Sequence, residues 1–225
     1  MEPCVGGTMP VSVLIPTVGR AHRIPIITAN VLESSDHANV YFICERDDEQ
    51  SIKTVVQTVG ANLIVNRRTR NYAGAINTGV AETDEPYLFT GADDLNFHVG
   101  WFETAVALMD KKIQVVGTND LGNSEVLAGQ HSTHSLVARN YATQGVVDQL
   151  GVMLHEGYHH NWCDTEFIRT AMARGRFLPC LEAKVEHLHY VWGKAPMDDG
   201  YSKSFSREPQ DRALFREREQ LWTLL

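Results

Sequence analysis

Apolar residues in the first half of the chain fall into short runs separated by segments with helical spacing. The β-branched run at 11–15, stopped by Pro16, predicts a buried strand. Apolar positions at i, i+3, i+4 and i+7 predict a helix over 51–59. On the same reasoning we predict further strands at 39–44, 62–65, 86–90 and 113–116, and further helices at 20–32, 72–81 and 99–109.

This alternation of strands with helices of about a dozen residues indicates βαβ units and a mostly parallel sheet, which is an α/β fold. In such sheets, ligands bind beyond the carboxyl ends of the strands. Three polar segments lie there, each directly after a predicted strand: 17–20, 45–49 and Asp93-Asp94. Together they predict a ligand site at this edge of the sheet.

The alternation weakens after residue 117. Apolar residues on one face, with Gly175 as a stop signal, predict a helix over 164–174. Short strands are predicted at 178–181 and 184–189. Residues 196–210 contain two prolines and many polar side chains, which predicts a loop, and the mixed-charge residues 211–221 predict a closing amphipathic helix.

Length and composition support one folded domain, or one domain with a small C-terminal addition. The chain has 225 residues, of which 43% are hydrophobic, enough for a sizeable core. The four cysteines form no CxxC pair, so neither a structural zinc site nor a disulfide framework is indicated. No apolar run is long enough to span a membrane, and the first residues lack the pattern of a secretory signal. We therefore expect a cytoplasmic protein.

The net charge of −8 and the single short basic cluster at 67–70 argue against extensive binding of duplex nucleic acid. They do not exclude a nucleic-acid acceptor, and a cluster of this size also suits a diphosphate. The sequence contains neither the G-x-G-x-x-G fingerprint nor the P-loop pattern, so dinucleotide oxidoreductase and NTPase functions have no support.

The acidic pair Asp93-Asp94 is the strongest local signal for chemistry. Carboxylate oxygens bind hard divalent cations, and such a cation neutralises a diphosphate and stabilises it as a leaving group. The alternative is that one of the two residues only caps the helix that follows. Both interpretations stay open on the pair alone.

Several segments occur in the order and spacing of a known protein family. They are the strand and turn 11–20, the Ala/Gly-rich helix start 70–79 and the strand 87–94, which ends in Gly-Ala-Asp-Asp. The acidic segment 161–169 and the His-bearing segment 185–194 fit the same family. The chain resembles the family-2-type glycosyltransferases, especially small members encoded by bacteriophages.

This resemblance implies a GT-A fold, a Rossmann-like and mostly parallel central sheet flanked by helices, with a smaller acceptor-side C-terminal region. It implies a nucleotide-sugar-binding half at 1–117, an acceptor-side and catalytic half of the same domain at 118–195, and a C-terminal loop and helix at 196–225. A viral source would place the protein in the host cytoplasm.

The resemblance also implies the reaction: metal-dependent transfer of a hexosyl or pentosyl group from a nucleotide-diphosphate sugar to an acceptor hydroxyl, with inversion at the anomeric carbon. A UDP-sugar is the favoured donor, with GDP- and dTDP-sugars open. The acceptor is also open between a polysaccharide, a protein such as a virion protein, a small molecule and a modified DNA base.

The same resemblance assigns the site residues. Asp93, Asp94 and His189 are expected to hold Mn²⁺ or Mg²⁺. Asp164 is the candidate base, with capping of the predicted helix 164–174 as its alternative role. The acidic turn at 45–49 would contact the base of the nucleotide. The alternative is that this turn is only a solvated loop. The expected donor-binding residues are Pro16, Thr17, Gly19, Arg20, Glu45, Asp48, Arg70, Gly74, Asn77 and Asp93, with close packing as the alternative role of Gly74.

Two details bear on these assignments. Gly91 stands where the family usually has the first Asp of its acidic motif, so the contacts of that Asp must come from Asp94 or the acidic turn. His187 and His189 alternate along a predicted strand, so only one of them is expected to face the site, and the resemblance favours His189.

Three other functions stay open. Residues 155–159 match the H-E-x-x-H pattern of zinc peptidases, but Gly157 weakens a helix there and the third His of the longer pattern is missing. A nucleotidyltransferase would use a similar sheet and metal, although no basic Gly-rich loop follows the first strand. A non-catalytic sugar- or nucleotide-binding module would keep the fold and lack the base.

Overall fold

The structure, a computed structural model, describes residues 9–225, and Cys4 lies outside these residues. The strands are β1 Val11–Thr17, β2 Ala38–Cys44, β3 Ala61–Val65, β4 Tyr87–Thr90, β5 Leu95–Phe97, β6 Val115–Asn119, β7 Ser135–Ala138 and β8 Phe177–His187. The α-helices are α1 Ile24–Ser34, α2 Glu49–Gln57, α3 Tyr72–Glu82, α4 Trp101–Val106, α5 Ser124–Leu127, α6 Arg139–Ala142, α7 Cys163–Ala173, α8 Asp199–Arg218 and α9 Gln220–Thr223. Short 3₁₀ turns occur at Ala21–Arg23 and Tyr190–Trp192.

Within residues 9–225, the strands form one eight-stranded sheet in the order β3-β2-β1-β4-β7-β6-β8-β5. Strands β3, β2, β1 and β4 are parallel neighbours, as predicted for the first half of the chain. Strand β7 is antiparallel to both β4 and β6, β8 is parallel to β6, and β5 is antiparallel to β8. The α/β fold is therefore confirmed, with a parallel half and a mixed half.

Two apolar clusters, one on each face of the sheet, form the core. Helices α1, α2 and α4 cover one face, where Trp101 and Phe89 pack with ring centroids 4.6 Å apart. Helices α3, α6 and α7 cover the other face, where Ile76 and Ile168 are almost fully buried. β1 is buried on both faces, which agrees with its mostly apolar sequence: four of its first five residues are apolar.

The register of the parallel strands places three strand ends side by side. Thr17 at the end of β1 pairs with Cys44 at the end of β2, and Thr90 at the end of β4 pairs with Leu14 of β1. The loops that follow these strands therefore leave the sheet along one edge. This is the edge at which the sequence predicts a ligand site.

The second half of the chain differs from the predictions in its strands and short helices. One long strand, β8, replaces the two short strands predicted at 178–181 and 184–189. Strands β5 and β7 and helices α5 and α6 are not predicted, because each has only three or four residues and so too few positions to show a period. Helix α4 is shorter than the predicted helix 99–109.

The largest error concerns residues 196–210, which are predicted as a loop. Most of them belong to α8, which runs through Pro209 to Arg218. Asp198 caps the start of this helix by accepting a hydrogen bond from the backbone N–H of Tyr201 at 2.9 Å. The helix is polar on most of its surface, so its hydrophobic pattern is weak and its tertiary anchors determine its position. Among the described residues, no helix is long and apolar enough to cross a membrane.

Two buried charged residues of α8 anchor it to the rest of the domain. Asp211 accepts hydrogen bonds from three consecutive backbone N–H groups at 159–161, at 2.7, 2.9 and 2.8 Å. Arg218 binds the carboxylate of Glu166, which is 1% exposed, through two nitrogens at 2.9 and 2.8 Å. Arg218 also pairs with Asp148, and Tyr158 donates its hydroxyl to Glu166 at 2.6 Å.

We expect Arg218→Met to reduce the free energy of unfolding by about 3–5 kcal/mol, because it leaves the carboxylate of Glu166 buried without its cation. The matched control is Arg212→Met, which removes a more exposed arginine of the same helix from its pair with Glu208 and should cost about 0–1 kcal/mol. Urea unfolding measures both. Equal losses in the two variants would contradict the anchoring role.

Candidate functional site

A large cleft opens at the carboxyl ends of β1, β2 and β4. Its volume is about 2270 Å³. The opposite wall comes from the loop before β7, the segment 159–165, the end of β8 and the start of α8. The predicted site residues that line this cleft are Pro16, Thr17, Gly19, Arg20, Glu45, Arg70, Asp93, Asp94, Asp164 and His189.

Asp93 is bound on both of its oxygens by groups from the end of β1. Its Oδ2 accepts the hydroxyl of Thr17 at 2.8 Å, and its Oδ1 accepts a hydrogen bond from Arg20 at 2.7 Å. Arg20 also binds Asp198, at the start of α8, through two nitrogens at 3.0 and 2.6 Å. Arg20 thus joins the acidic pair to the C-terminal helix.

Asp94 faces a different set of groups. Its Oδ2 accepts the hydroxyl of Tyr201 at 2.6 Å, and its Oδ1 lies 3.3 Å from Nε2 of His187. Burial acts to raise the pKa of Asp94, but the interactions with His187 and Tyr201 outweigh it and hold this pKa well below its usual range. Asp94 is therefore ionised at neutral pH.

The prediction that only one of His187 and His189 faces the site is wrong. Both line the cleft, with ring centroids 5.0 Å apart. The alternation argument fails because β8 ends at His187, and His189 already leads into the 3₁₀ turn. His187 is the ring next to Asp94, whereas His189 packs on the Tyr201 ring at 4.6 Å and accepts the backbone N–H of Val191 on its Nδ1.

Asp164 lies in the first turn of α7, beside a histidine that the sequence does not single out. His131 places its Nε2 3.6 Å from the Asp164 carboxylate. Burial opposes the charge on each partner, yet the pair keeps the pKa of Asp164 below and the pKa of His131 above its usual value. The N-cap of α7 is Trp162, so Asp164 is not the helix cap. Glu166 points away into the core and binds Arg218.

Three predicted donor-binding residues do not line the cleft. The Asn77 side chain is 2% exposed and exchanges hydrogen bonds with the backbone of Leu154. A Cβ on Gly74 would lie 2.1 Å from the backbone oxygen of Thr69, so this glycine permits close packing. Asp48 caps α2 and accepts the backbone N–H of Gly19 at 2.7 Å, which supports the loop after β1.

The substitution at Gly91 has a steric reason. A Cβ on this residue would lie 2.7 Å from the backbone oxygen of Leu14 and 3.2 Å from the Ile15 side chain. The end of β4 thus packs too closely on β1 to accept an Asp without displacing backbone. The acidic side chains of this strand end are therefore those of Asp93 and Asp94.

The H-E-x-x-H match forms no peptidase site, because residues 155–159 are not helical. Its three side chains have separate partners. His155 packs on the Tyr158 ring, Glu156 binds Arg68, Thr69 and Asn77, and His159 binds Asp211.

Sequence reasoning misses His131, His134 and Tyr201 as site residues. Both histidines lie in the loop before β7, a strand that is itself not predicted. Tyr201 falls in the segment predicted as a loop. The one signal available is the density of histidines, since 131 and 134 flank a short polar stretch after a buried strand.

One pair of side chains in the cleft, Asp94 and His187, has a spacing that is compatible with binding one divalent cation. Two ligand atoms that each lie about 2.1 Å from one ion are about 3.0–3.4 Å apart. The separation of 3.3 Å between Oδ1 of Asp94 and Nε2 of His187 fits this requirement. Across the described residues, no three His, Cys, Asp or Glu side chains are already grouped as a metal site. A bound ion would thus need further ligands from its substrate or from water.

Comparisons with known proteins agree with this geometry. The profile described as Glycosyl transferase family 2 matches residues 12–174. Among solved structures, the mannosyltransferase PcManGT from Pyrobaculum calidifontis, in complex with GDP-Man and Mn²⁺, is 18% identical with a TM-score of 0.65, and the match covers 89% of this chain and 61% of that one. A comparison with curated protein sequences finds no match.

A second solved structure extends the similarity over more of its own length. Glucosyl-3-phosphoglycerate synthase from Mycobacterium tuberculosis, in complex with phosphoglyceric acid, is 12% identical with a TM-score of 0.67, covering 93% of this chain and 80% of that one. The same enzyme in complex with Mn²⁺, UDP-Glc and phosphoglyceric acid is 14% identical with a TM-score of 0.61. That match covers 93% of this chain and 79% of the other one. At these identities the likeness establishes the fold, which is GT-A.

We expect the pH dependence of stability to reveal the buried state of His134. Burial and the nearby His187 lower the pKa of His134 from 6.5 to about 4. Between these values the unfolded state binds the extra proton, so the stability present above pH 6.5 is lost as the pH falls toward 4. His134→Asn does not titrate, so its free energy of unfolding should fall less than that of the wild type between pH 7 and 5.

Urea unfolding in EDTA at both pH values measures this difference. His22→Asn, at an exposed position, is the control and should keep the wild-type dependence on pH. An equal pH dependence in His134→Asn and the wild type would show that His134 titrates alike in the folded and unfolded states.

Proposed function

The chain belongs to glycosyl transferase family 2, and from this premise we propose that it transfers a sugar from a nucleotide-diphosphate sugar to an acceptor hydroxyl, with inversion at the anomeric carbon. The observation that carries the proposal is the Asp94–His187 pair at metal-ligand spacing, in a cleft that also contains Asp164. A UDP-sugar is the favoured donor, and GDP- and dTDP-sugars are the alternatives.

The donor is proposed to lie along the ends of β1, β2 and β4. Glu45 follows β2 in the cleft wall, where it would face the nucleotide base. Arg70 precedes α3, and the N-terminus of this helix carries the partial positive charge that favours phosphate groups. Arg70 pairs with Asp47 at 2.7 Å, and both side chains are exposed, so Arg70 can reorient toward a diphosphate.

Asp94 and His187 are the residues proposed to hold Mn²⁺ or Mg²⁺. When bound, the cation would neutralise the charge that develops on the diphosphate leaving group. Asp93 and His189 stay predictions as additional ligands. Asp93 is held by Thr17 and Arg20, so it could bind a metal only after Arg20 has turned away.

Asp164 is proposed to act as the base. It takes the proton from the acceptor hydroxyl while that oxygen forms a bond to the anomeric carbon, and the bond from this carbon to the diphosphate oxygen breaks. The pairing with His131 keeps Asp164 ionised despite its burial, which is the state a base requires. Its place in the first turn of α7, on the cleft wall opposite the ends of β1, β2 and β4, supports a role on the acceptor side.

The candidate acceptors include a modified DNA base and a virion protein. A cytoplasmic location and the kinship with bacteriophage enzymes likewise stay predictions. A nucleotidyltransferase and a non-catalytic binding module are the competing functions. Release of free sugar from a nucleotide sugar, with water as the acceptor, distinguishes a glycosyltransferase from both.

We expect UDP-sugars to raise the melting temperature in the presence of Mn²⁺ and not in EDTA, because ligand at about 100-fold its Kd stabilises a fold by about 2.7 kcal/mol. Asp94→Asn should abolish the Mn²⁺-dependent part of the shift. The control Glu125→Gln changes an exposed carboxylate that lines the same cleft and should respond like the wild type. Equal nucleotide-sugar shifts with Mn²⁺ and EDTA would exclude the metal-dependent mechanism.

We expect Asp164→Asn to fold and to bind donor normally but to lose about 10²- to 10⁴-fold in transfer rate, the usual contribution of a general base. Turnover of the donor measures the rate, and the thermal shift with Mn²⁺ and donor measures binding. Glu125→Gln again serves as the control. Turnover near the wild-type rate in Asp164→Asn would remove this residue from the mechanism.

A further inference from the structure

Two buried ring nitrogens next to the proposed metal pair have no hydrogen-bond partner. They are Nε2 of His134 and Nδ1 of His187. The two rings lie edge to face, with centroids 5.0 Å apart and planes at 75°. Two imidazoles have this separation when a nitrogen of one donates to a nitrogen of the other at about 3 Å. Because unpartnered buried polar atoms are rare in folded proteins, the coincidence of two in adjacent rings needs a reason.

The hydrogen bond on the other side of His134 determines which of its nitrogens carries the proton. Nδ1 lies 2.7 Å from the backbone oxygen of Thr90. A carbonyl oxygen only accepts, so Nδ1 carries the hydrogen. His134 is 4% exposed, and a neutral imidazole with its hydrogen on Nδ1 presents a lone pair on Nε2. Nε2 of His134 is therefore available as an acceptor for a donor beside it.

The backbone around both rings is fixed. The carbonyl oxygen of His134 accepts hydrogen bonds from the hydroxyls of Thr118 at 2.8 Å and Ser132 at 2.6 Å. The backbone N–H of His187 donates to Asp120 at 3.0 Å. The two imidazoles are thus held beside each other by the backbone of their own segments.

We propose that His134 is a positioning residue for the metal site: its Nε2 accepts a hydrogen bond from Nδ1–H of His187 when Nε2 of His187 binds a divalent cation. This inference rests on the proposed metal site. A histidine that binds a metal through one nitrogen carries its hydrogen on the other, and that N–H usually donates to a fixed acceptor. The resulting chain runs from the Thr90 carbonyl through His134 to His187, which then shares the ion with Asp94.

The role of this chain is to fix both the tautomer and the orientation of His187. Without an acceptor, the N–H of His187 would be buried unsatisfied whenever the metal is bound, and binding would bear that cost. A carboxylate is the more usual partner for such an N–H. A neutral histidine here places no additional negative charge beside Asp93 and Asp94, which are already two adjacent carboxylates.

The test measures Mn²⁺ affinity directly, from the electron paramagnetic resonance signal of free Mn²⁺ titrated into the protein with and without UDP. His134→Asn keeps a donor near the Thr90 carbonyl but cannot reach the position of Nε2. It should weaken Mn²⁺ binding about 10- to 100-fold. His134→Gln carries its amide oxygen to about the position of Nε2 and should recover most of the affinity.

The matched control is His155→Asn, which makes the same chemical change at another histidine with an unpartnered nitrogen, outside the cleft lining. Its Mn²⁺ affinity should equal that of the wild type. Wild-type affinity in a folded His134→Asn variant would overturn the role of His134 alone. Equal losses in His134→Asn and His134→Gln would also overturn it, since the loss would then come from packing. A wild-type protein that binds no Mn²⁺ would overturn the proposed metal site itself.

Discussion

Two adjacent carboxylates, Asp93 and Asp94, are almost completely shielded from solvent at the end of β4, and much of the remaining architecture compensates for their charge. Ionised groups in such a position need opposite charge and hydrogen-bond donors, or they take up protons. The protein supplies these from three directions: Thr17 ends β1 and Arg20 follows it, His187 ends β8, and Tyr201 belongs to α8. The curvature of the mixed half of the sheet and the return of the C-terminal helix are thereby tied to one point.

The proposed cation would have to share these carboxylates with the protein donors that already hold them. Of the groups that bind the two carboxylates, Tyr201 is uncharged and Arg20 carries a single positive charge. A bound nucleotide diphosphate would add negative charge and would bring its own oxygen ligands for a cation. The ring of Tyr201 also stacks on Arg20, with the guanidinium carbon 4.6 Å from the ring centroid. A ligand that draws Arg20 toward phosphate would therefore also remove the guanidinium from the Tyr201 ring, whose hydroxyl binds Asp94.

The parallel half of the fold could be predicted from the sequence because its strands are short, mostly apolar runs that alternate with segments of helical spacing. The start of α7 could also be predicted from the sequence, because a polar residue precedes an apolar pattern with helical spacing there. The C-terminal helix α8 could not be predicted, because it is mostly polar and contains Pro209. Its position depends on Asp211 and Arg218, whose partners are distant in sequence. The approach of His131 to Asp164 was hidden for the same reason: it depends on an antiparallel strand of four residues that no local period reveals.

The anchoring of Arg20 by Asp198 has a consequence for the order in which the protein is assembled. These residues are 178 positions apart, and the contact between Asp94 and Tyr201 spans 107 positions. During synthesis from the N-terminus, the parallel half of the sheet can form while these last partners are still inside the ribosome. Closing such long loops has a high entropic cost and is slow. The nascent chain therefore carries an acidic, incompletely compensated sheet edge that attains its final form only after α8 has emerged.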